Sequence, residues 1–268
     1  MQPAAALAAM SEGMRARRRV LVAYSGGVDS ALVARIARDA LGGNALAVIT
    51  DTETLTRREM DAARRTAVEI GIDFLVLPAS ELQRAEYRAN PANRCYFCRQ
   101  ELAGILAPLA RTRGFAAIAD GIHMSDLGDD RPGIRAMDEA GFWHPLLEAG
   151  LDKDGVRALA RELSLSCWDK PSNACLSSRI PHGTPITVEA LARVEAAEDV
   201  LLDLGFRRVR VRHLGDTARI EVGPEEVPRL LAPETAAAVR SRVLALGYRE
   251  AFLDPRGYRT AVAQTPAR

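Results

Sequence analysis

The six consecutive residues Ser25-Gly26-Gly27-Val28-Asp29-Ser30 have the types and spacing to bind and activate a phosphate ester. Paired glycines let the backbone approach a ligand and turn their N–H groups into an anion nest. A helix expected to start at Ser30 directs its positive end at the same spot. Ser25 and Ser30 add hydroxyl donors, and Asp29 is an oxygen ligand for Mg2+ on the phosphates. The lysine of a G-x-x-x-x-G-K-[ST] loop is missing, and the first lysine of the chain is Lys153. A lysine-free nest of amides and hydroxyls suits release of pyrophosphate: attack falls on the α-phosphorus of ATP, and AMP passes to the substrate. A plain glycine turn between a strand and a helix would leave the hydroxyls and the carboxylate without a purpose.

The four cysteines are a second source of chemistry. Cys95 and Cys98 form a C-x2-C pair between Arg94 and Arg99; Cys167 and Cys175 follow much later. A helix N-terminus and flanking arginines favour thiolate. The spacing leaves three readings open: a zinc ion on all four sulfurs, an iron–sulfur cluster on three of them with one iron open, or reduced, unligated thiols or a redox pair.

Strands are expected at residues 19–25, 45–50, 73–77 and 116–119, alternating with helices at 30–41, 59–70 and 100–113. That alternation specifies an α/β fold with a doubly wound parallel sheet. Residues 120–150, rich in Gly, Asp and Pro, read as a long loop, and residues 152–163 as a helix. After an irregular stretch at 164–186, a helix (188–204), strands (207–212 and 218–222), helices (225–231 and 234–246) and a strand (249–253) make a smaller C-terminal α+β domain. The division expected is 15–184 for the nucleotide domain and 185–258 for the small one.

Composition limits the function. A hydrophobic share of 48% and a charged share of 26% suit a packed soluble protein. The net charge of +1 provides no global field for nucleic acid or membrane. No run of 18 apolar residues is present, which excludes a membrane helix from the expectation. The Ala-rich start carries its basic cluster after the apolar part, the reverse of an export signal, and reads as a short helix or a frayed leader. A cytoplasmic location and no structural disulfides follow.

Other residues have two readings each. Arg179 is either a surface arginine or a bidentate carboxylate or phosphate ligand. In Arg208-Val209-Arg210-Val211-Arg212 the valines face inward, leaving three arginines on one face, solvated or used as a phosphate clamp. Asp126, Asp129 and Asp130 are turn formers or have a metal-binding or catalytic role. His123, His144, His182 and His213 show no ligand spacing and receive no role. Trp143 and Trp168 are packing residues, and Cys167 a small buried hydrophobe.

The loop at residues 25–30 resembles the signature of the PP-loop ATP pyrophosphatases, in which ATP lies at the carboxyl ends of the strands. That resemblance implies Thr50, beside Asp51, near the adenosine, and Asp120 and Gly121 near the phosphates or the adenylated group. The ordered set SGGVDS, NRCYFC, ADGIHMSDLGDDRPG and KPSNACLSSRIPHG resembles the LarE family over residues 19–258. The resemblance implies an ATP-dependent sulfur transferase that adenylates a carboxylate of a pyridinium mononucleotide. Sulfur then displaces AMP to give a thiocarboxylate for a nickel-pincer nucleotide. One branch of the family sacrifices a protein cysteine. The other holds a [4Fe-4S] cluster on three cysteines, and Cys95, Cys98 and Cys175 resemble that trio. Ser178, Arg179, Glu198, Arg210 and Arg212 resemble substrate positions, with Cys175 and Asp29 the catalytic pair. Homo-oligomers are implied; a sulfur donor is not. A tRNA thiolase and an ammonia-using amide synthetase share the ATP domain. The first would need a basic surface, and the second has no use for a cysteine trio.

Overall fold

The computed structural model describes residues 3–127, 132–171 and 174–258. Compactness divides the chain into Met1–Tyr87 with Pro91–Ala174, and Arg88–Asn90 with Cys175–Arg268. The sequence boundary at 184/185 thus compares with a division at 174/175, with three earlier residues in the second unit.

The first unit contains α1 (Pro3–Arg17), β1 (Val20–Ala23), α2 (Val28–Leu41), β2 (Ala45–Asp51), α3 (Arg57–Ile70), β3 (Asp73–Pro78), the short α4 (Ala85–Arg88), whose last residue falls in the second unit, α5 (Arg94–Arg113), β4 (Ala117–Ala119), α6 (Pro132–Glu139), α7 (Pro145–Glu148) and α8 (Lys153–Glu162). Its four strands are parallel, in the order β3-β2-β1-β4. Alternation along the strands feeds two cores. Val20 and Val22 of β1 and Ala45, Ala47 and Ile49 of β2 pack with α1, α2, α3 and α8. Leu21, Leu46 and Val48 pack on the other face with Leu106 of α5 and Met137 of α6. The sheet is doubly wound, as the alternating pattern requires.

Helix boundaries follow local chemistry. Thr56 caps α3 by accepting from the Glu59 N–H, and Gly71 ends it at φ 71°. Of the two readings of the N-terminal segment, the helix is the one found: Ala6, Met10 and Met14 of α1, one above the other at i, i+4 and i+8, are buried in the core. The long loop expected at 120–150 contains two helices among its described residues, α6 and α7. Asp129 and Asp130, with Gly128 and Arg131, lie outside the described residues.

The second unit contains α9 (Val188–Asp203), β5 (Val209–Leu214), β6 (Thr217–Val222), α10 (Val227–Leu231), α11 (Pro233–Leu244) and β7 (Glu250–Leu253). β5 and β6 pair antiparallel, β6 and β7 parallel. Val209, Val211, Ile220 and Val222 pack against Leu201 of α9 and Val239 and Val243 of α11, the small α+β domain anticipated from sequence. Among the described residues, no helix is long and apolar enough to cross a membrane.

Candidate functional site

In the sheet order β3-β2-β1-β4 the chain winds one way from β1 and returns to its other side with β4. The crevice beyond the carboxyl ends of β1 and β4 is the switch point at which such sheets bind ligands. The glycine loop leaves β1 there, and Asp120-Gly121 leaves β4 beside it. A Cβ on Gly121 would stand 2.8 Å from the Ser30 backbone nitrogen, so the two segments touch main chain to main chain. Gly26 has φ +70°, and a Cβ there would sit 2.5 Å from the Ala63 Cβ of α3. Only glycine meets both demands.

The serine hydroxyls knit the loop. Ser30 Oγ accepts from the Ser25 N–H at 3.1 Å, donates to the Gly27 carbonyl at 3.1 Å and lies 3.1 Å from Ser25 Oγ. Asp29, in the first turn of α2, gives both oxygens to Lys153 Nζ at 2.7 and 2.8 Å. His123 Nε2 lies 3.7 Å from the same carboxylate. Lys170 Nζ donates to the Gly26 carbonyl at 3.0 Å and to Glu59 Oε2 at 2.6 Å. The expectation of a lysine-free nest is therefore corrected. Lysines absent from the loop's own sequence reach it through the fold, from the first turn of α8 and from the turns after it.

Asp120 is buried. Its Oδ1 lies 2.7 Å from His144 Nδ1 and accepts from the Ile122 N–H at 3.1 Å. His144 Nε2 lies 2.9 Å from Asp138 Oδ1. Burial alone would lower the imidazole pKa; hydrogen bonding and the charge of Asp120, then of Asp138, outweigh it and hold the pKa above its ordinary value. Asp120 Oδ2 is buried with no hydrogen-bond partner among the described residues. Thr50 closes the carboxyl end of β2, the strand next to β1, and Asp51 pairs with Arg57 at 2.6 Å.

Cys95 and Cys98 occupy the first turn of α5, three residues apart and so on neighbouring positions of one helical face. Cys95 is exposed and Cys98 half-buried. Cys98 Sγ lies 3.5 Å from Oε1 of the buried Glu81, whose carboxyl pKa burial pushes up. Gly133 of α6 packs over Cys95, where its Cβ would come 3.7 Å from that of the cysteine. Cys167 is buried in the core against α3 and α8, as a small hydrophobe would be. Trp143 also packs on that core, whereas Trp168 is 36% exposed beside Arg161, so packing does not describe it. Among the described residues, no group of three or more His, Cys, Asp or Glu side chains is arranged to hold a metal ion.

In the second unit Cys175 is exposed and precedes a 3-10 turn, Leu176–Arg179. Arg179 is no surface residue, at 1% exposure. Its Nε and Nη2 bond Glu198 at 2.8 and 3.0 Å, and its Nη1 bonds the Cys175 carbonyl at 3.0 Å and Ser178 Oγ at 2.9 Å. The fork expected to meet a substrate is engaged with the protein. Val209 and Val211 face the core as expected, but the opposite face is not a solvated row of three arginines. Arg208 precedes the strand and is exposed; Arg210 is buried, with its guanidinium 5.1 Å from the Tyr258 ring. Burial, then the nearby Arg179, pull the Arg210 pKa down. Arg212 bonds Glu221 at 3.0 Å and the Ser178 carbonyl at 3.0 Å, and Arg219 bonds the same Glu221 at 3.1 Å.

Sequence reasoning missed Lys153, Lys170, Glu59, His123, His144 and Glu81. Spacing could not find them, since each meets its partner across the fold. One signal was available for the lysines, their rarity in the chain.

A protein-family profile described as NAD synthase matches residues 9–104. The chain is 43% identical over 242 residues to the uncharacterized protein slr1717 of Synechocystis sp., covering 90% of each chain. It is 38% identical over 244 residues to pyridinium-3,5-bisthiocarboxylic acid mononucleotide synthase of Lactiplantibacillus plantarum, covering 91% of this chain and 88% of that one. It is 29% identical to the tRNA-specific 2-thiouridylase MnmA of Caulobacter vibrioides over 90% of this chain and 74% of that one. The chain belongs to the LarE family, the family of pyridinium-3,5-bisthiocarboxylic acid mononucleotide synthase, among the PP-loop proteins.

Proposed function

We propose that this protein is an ATP-dependent sulfurtransferase that converts a carboxylate of a pyridinium dicarboxylate mononucleotide into a thiocarboxylate. The observation that carries the reading is the meeting of the glycine loop with Asp120-Gly121 at the switch point, where Asp120 Oδ2 is buried without a hydrogen-bond partner among the described residues. An orphaned carboxylate oxygen there fits a ligand that brings a cation, as Mg2+-bound ATP does.

The loop amides and the N-terminus of α2 hold the β- and γ-phosphates, leaving the α-phosphorus open. A substrate carboxylate oxygen attacks it, the bond to the bridging oxygen breaks, and pyrophosphate departs with the electron pair. The carbonyl carbon now carries AMP, a good leaving group. Sulfide attacks that carbon, the carbon–oxygen bond breaks, and AMP leaves. Asp120, through Oδ2, and Asp29, beside its bonds to Lys153, would supply oxygen donors to Mg2+, which would offset the phosphate charge. Ser25, Gly26, Gly27, Ser30, Thr50 and Gly121 line the nucleotide.

Cys95 and Cys98, on one face of α5, and the exposed Cys175 of the second unit would be the thiolate ligands of the proposed iron–sulfur cluster. A [4Fe-4S] cluster on three cysteines would supply an open iron for the transferable sulfur. Arg179 and Glu198 shape the backbone that carries Cys175 and Ser178, and Arg210 and Arg212 supply the positive face for the mononucleotide phosphate. A cytoplasmic homo-oligomer completes the proposal, with no nucleic acid or membrane partner.

Incubation with ATP, Mg2+, the pyridinium dicarboxylate mononucleotide and sulfide without oxygen tests it. AMP, pyrophosphate and a thiocarboxylate in equal amounts are expected. ADP and phosphate, or nucleotide cleavage indifferent to the mononucleotide, would rule it out.

A further inference from the structure

The chain has 36 basic residues, and just two are lysines, Lys153 and Lys170. Both fold back onto the glycine loop, 124 and 144 positions away from their partners. Lys170 holds the loop where the chain enters it, through the Gly26 carbonyl, and ties it to Glu59 of α3. Lys153 holds it where α2 begins, through both oxygens of Asp29. Each ammonium has three donors, and two are used in these bonds. Each side chain also keeps about a fifth of its surface accessible, 22% for Lys153 and 20% for Lys170.

An ion pair with Asp29 or Glu59 alone does not call for lysine, because arginine makes stronger bidentate carboxylate pairs and this chain uses it everywhere else. A compact point charge is needed where the cation must touch its carboxylate and still leave room for a phosphate beside the loop. A planar guanidinium would fill that space.

We propose that Lys153 and Lys170 are phosphate ligands that bracket the loop, each directing its third N–H donor to the pyrophosphate portion of ATP. The proposal rests on the reading that the loop binds ATP, and it adds the residues that take up the charge. As the carboxylate oxygen bonds to the α-phosphorus and the bond to the bridging oxygen breaks, negative charge gathers on the departing pyrophosphate. Two ammonium groups held in place by Asp29 and by Glu59 and the Gly26 carbonyl stabilise that charge more than they stabilise bound ATP.

The test is calorimetric titration of the full-length protein with magnesium pyrophosphate, with AMP as the control, in Lys153→Arg, Lys170→Arg and the two alanine variants. Arginine preserves the pairs with Asp29 and Glu59, so those variants should unfold at the wild-type temperature yet bind pyrophosphate about tenfold more weakly, the effect of one charged hydrogen bond. The alanine variants should lose at least as much, with AMP affinity unchanged. Wild-type pyrophosphate affinity in folded alanine variants, or full recovery by arginine, would overturn the proposal. Failure of the wild-type protein to bind either Mg2+-ATP or pyrophosphate would instead remove the nucleotide role of the loop, and the lysine assignment with it.

Discussion

Arg179 and Glu198 form a two-point ion pair inside the second unit, with nitrogen–oxygen distances of 2.8 and 3.0 Å and side-chain exposures of 0% and 7%. The pair does not stand alone. Glu198 Oε1 also accepts from the Val211 N–H at 3.0 Å, and Arg179 Nη1 reaches the Cys175 carbonyl. One buried pair therefore fixes the strand that carries Arg210 and Arg212 and the turn that carries Cys175. Removing one partner leaves a buried charge uncompensated. Arg179→Ala or Glu198→Ala should cost about 3–5 kcal/mol, and a paired Arg179→Met, Glu198→Met replacement much less. Urea unfolding followed by circular dichroism checks this; a loss under about 1 kcal/mol for both single variants would contradict it.

His144 gives a stability signature in pH. Its folded-state pKa lies above the ordinary 6.5 because Asp120 and Asp138 flank it. The contribution is therefore present in full below pH 6.5 and is lost as pH rises through the elevated folded value. Melting temperature should fall across that window in the wild type, and His144→Gln should flatten the fall. An unchanged profile in the variant would show that the shift arises elsewhere.

Gly26 combines a left-handed backbone with the approach to Ala63. Gly26→Ala meets both penalties, a backbone cost of about 1–2 kcal/mol and a clash with α3. ATP-dependent pyrophosphate release should be abolished while the sheet stays folded. Gly43, which has nothing within 4 Å of an added Cβ and lies away from the loop, provides the control, and Gly43→Ala should retain activity.

Cys95, Cys98 and Cys175 are each expected to be needed for iron. Anaerobic reconstitution should give a visible charge-transfer band, and serine at any of the three should reduce bound iron to a small fraction. Cys167→Ala, in the core, should leave the band intact. A colourless reconstituted wild type would contradict the cluster.

How much of this was legible in the sequence depends on the range of the interaction. The strands, the glycine turn and the cap at Thr56 are set by neighbours a few residues apart, so periodicity and local chemistry suffice. The stripe Ala6, Met10, Met14 was readable by the same rule, but the alanine-rich composition masked it. α6 and α7 are short, and the Gly, Asp and Pro around them looked like loop. The lysines at the loop, and the histidines on Asp29 and Asp120, depend on chain closure over 24 to 144 positions, which no local pattern records. Arg179 was recognised as important for a contact it does not make: its fork holds Glu198, a partner 19 residues away.

The central claim is that a carboxylate is adenylated before sulfur enters, and one isotope measurement addresses it. The pyridinium dicarboxylate mononucleotide, with heavy oxygen in both carboxylates, is turned over with unlabelled ATP and sulfide, and AMP is analysed by mass spectrometry. Attack of sulfur on the carbonyl carbon leaves the carboxylate oxygen on phosphorus, so each AMP should carry one heavy oxygen. Unlabelled AMP formed together with thiocarboxylate would show that the carboxylate never joined the α-phosphorus, and would contradict the account.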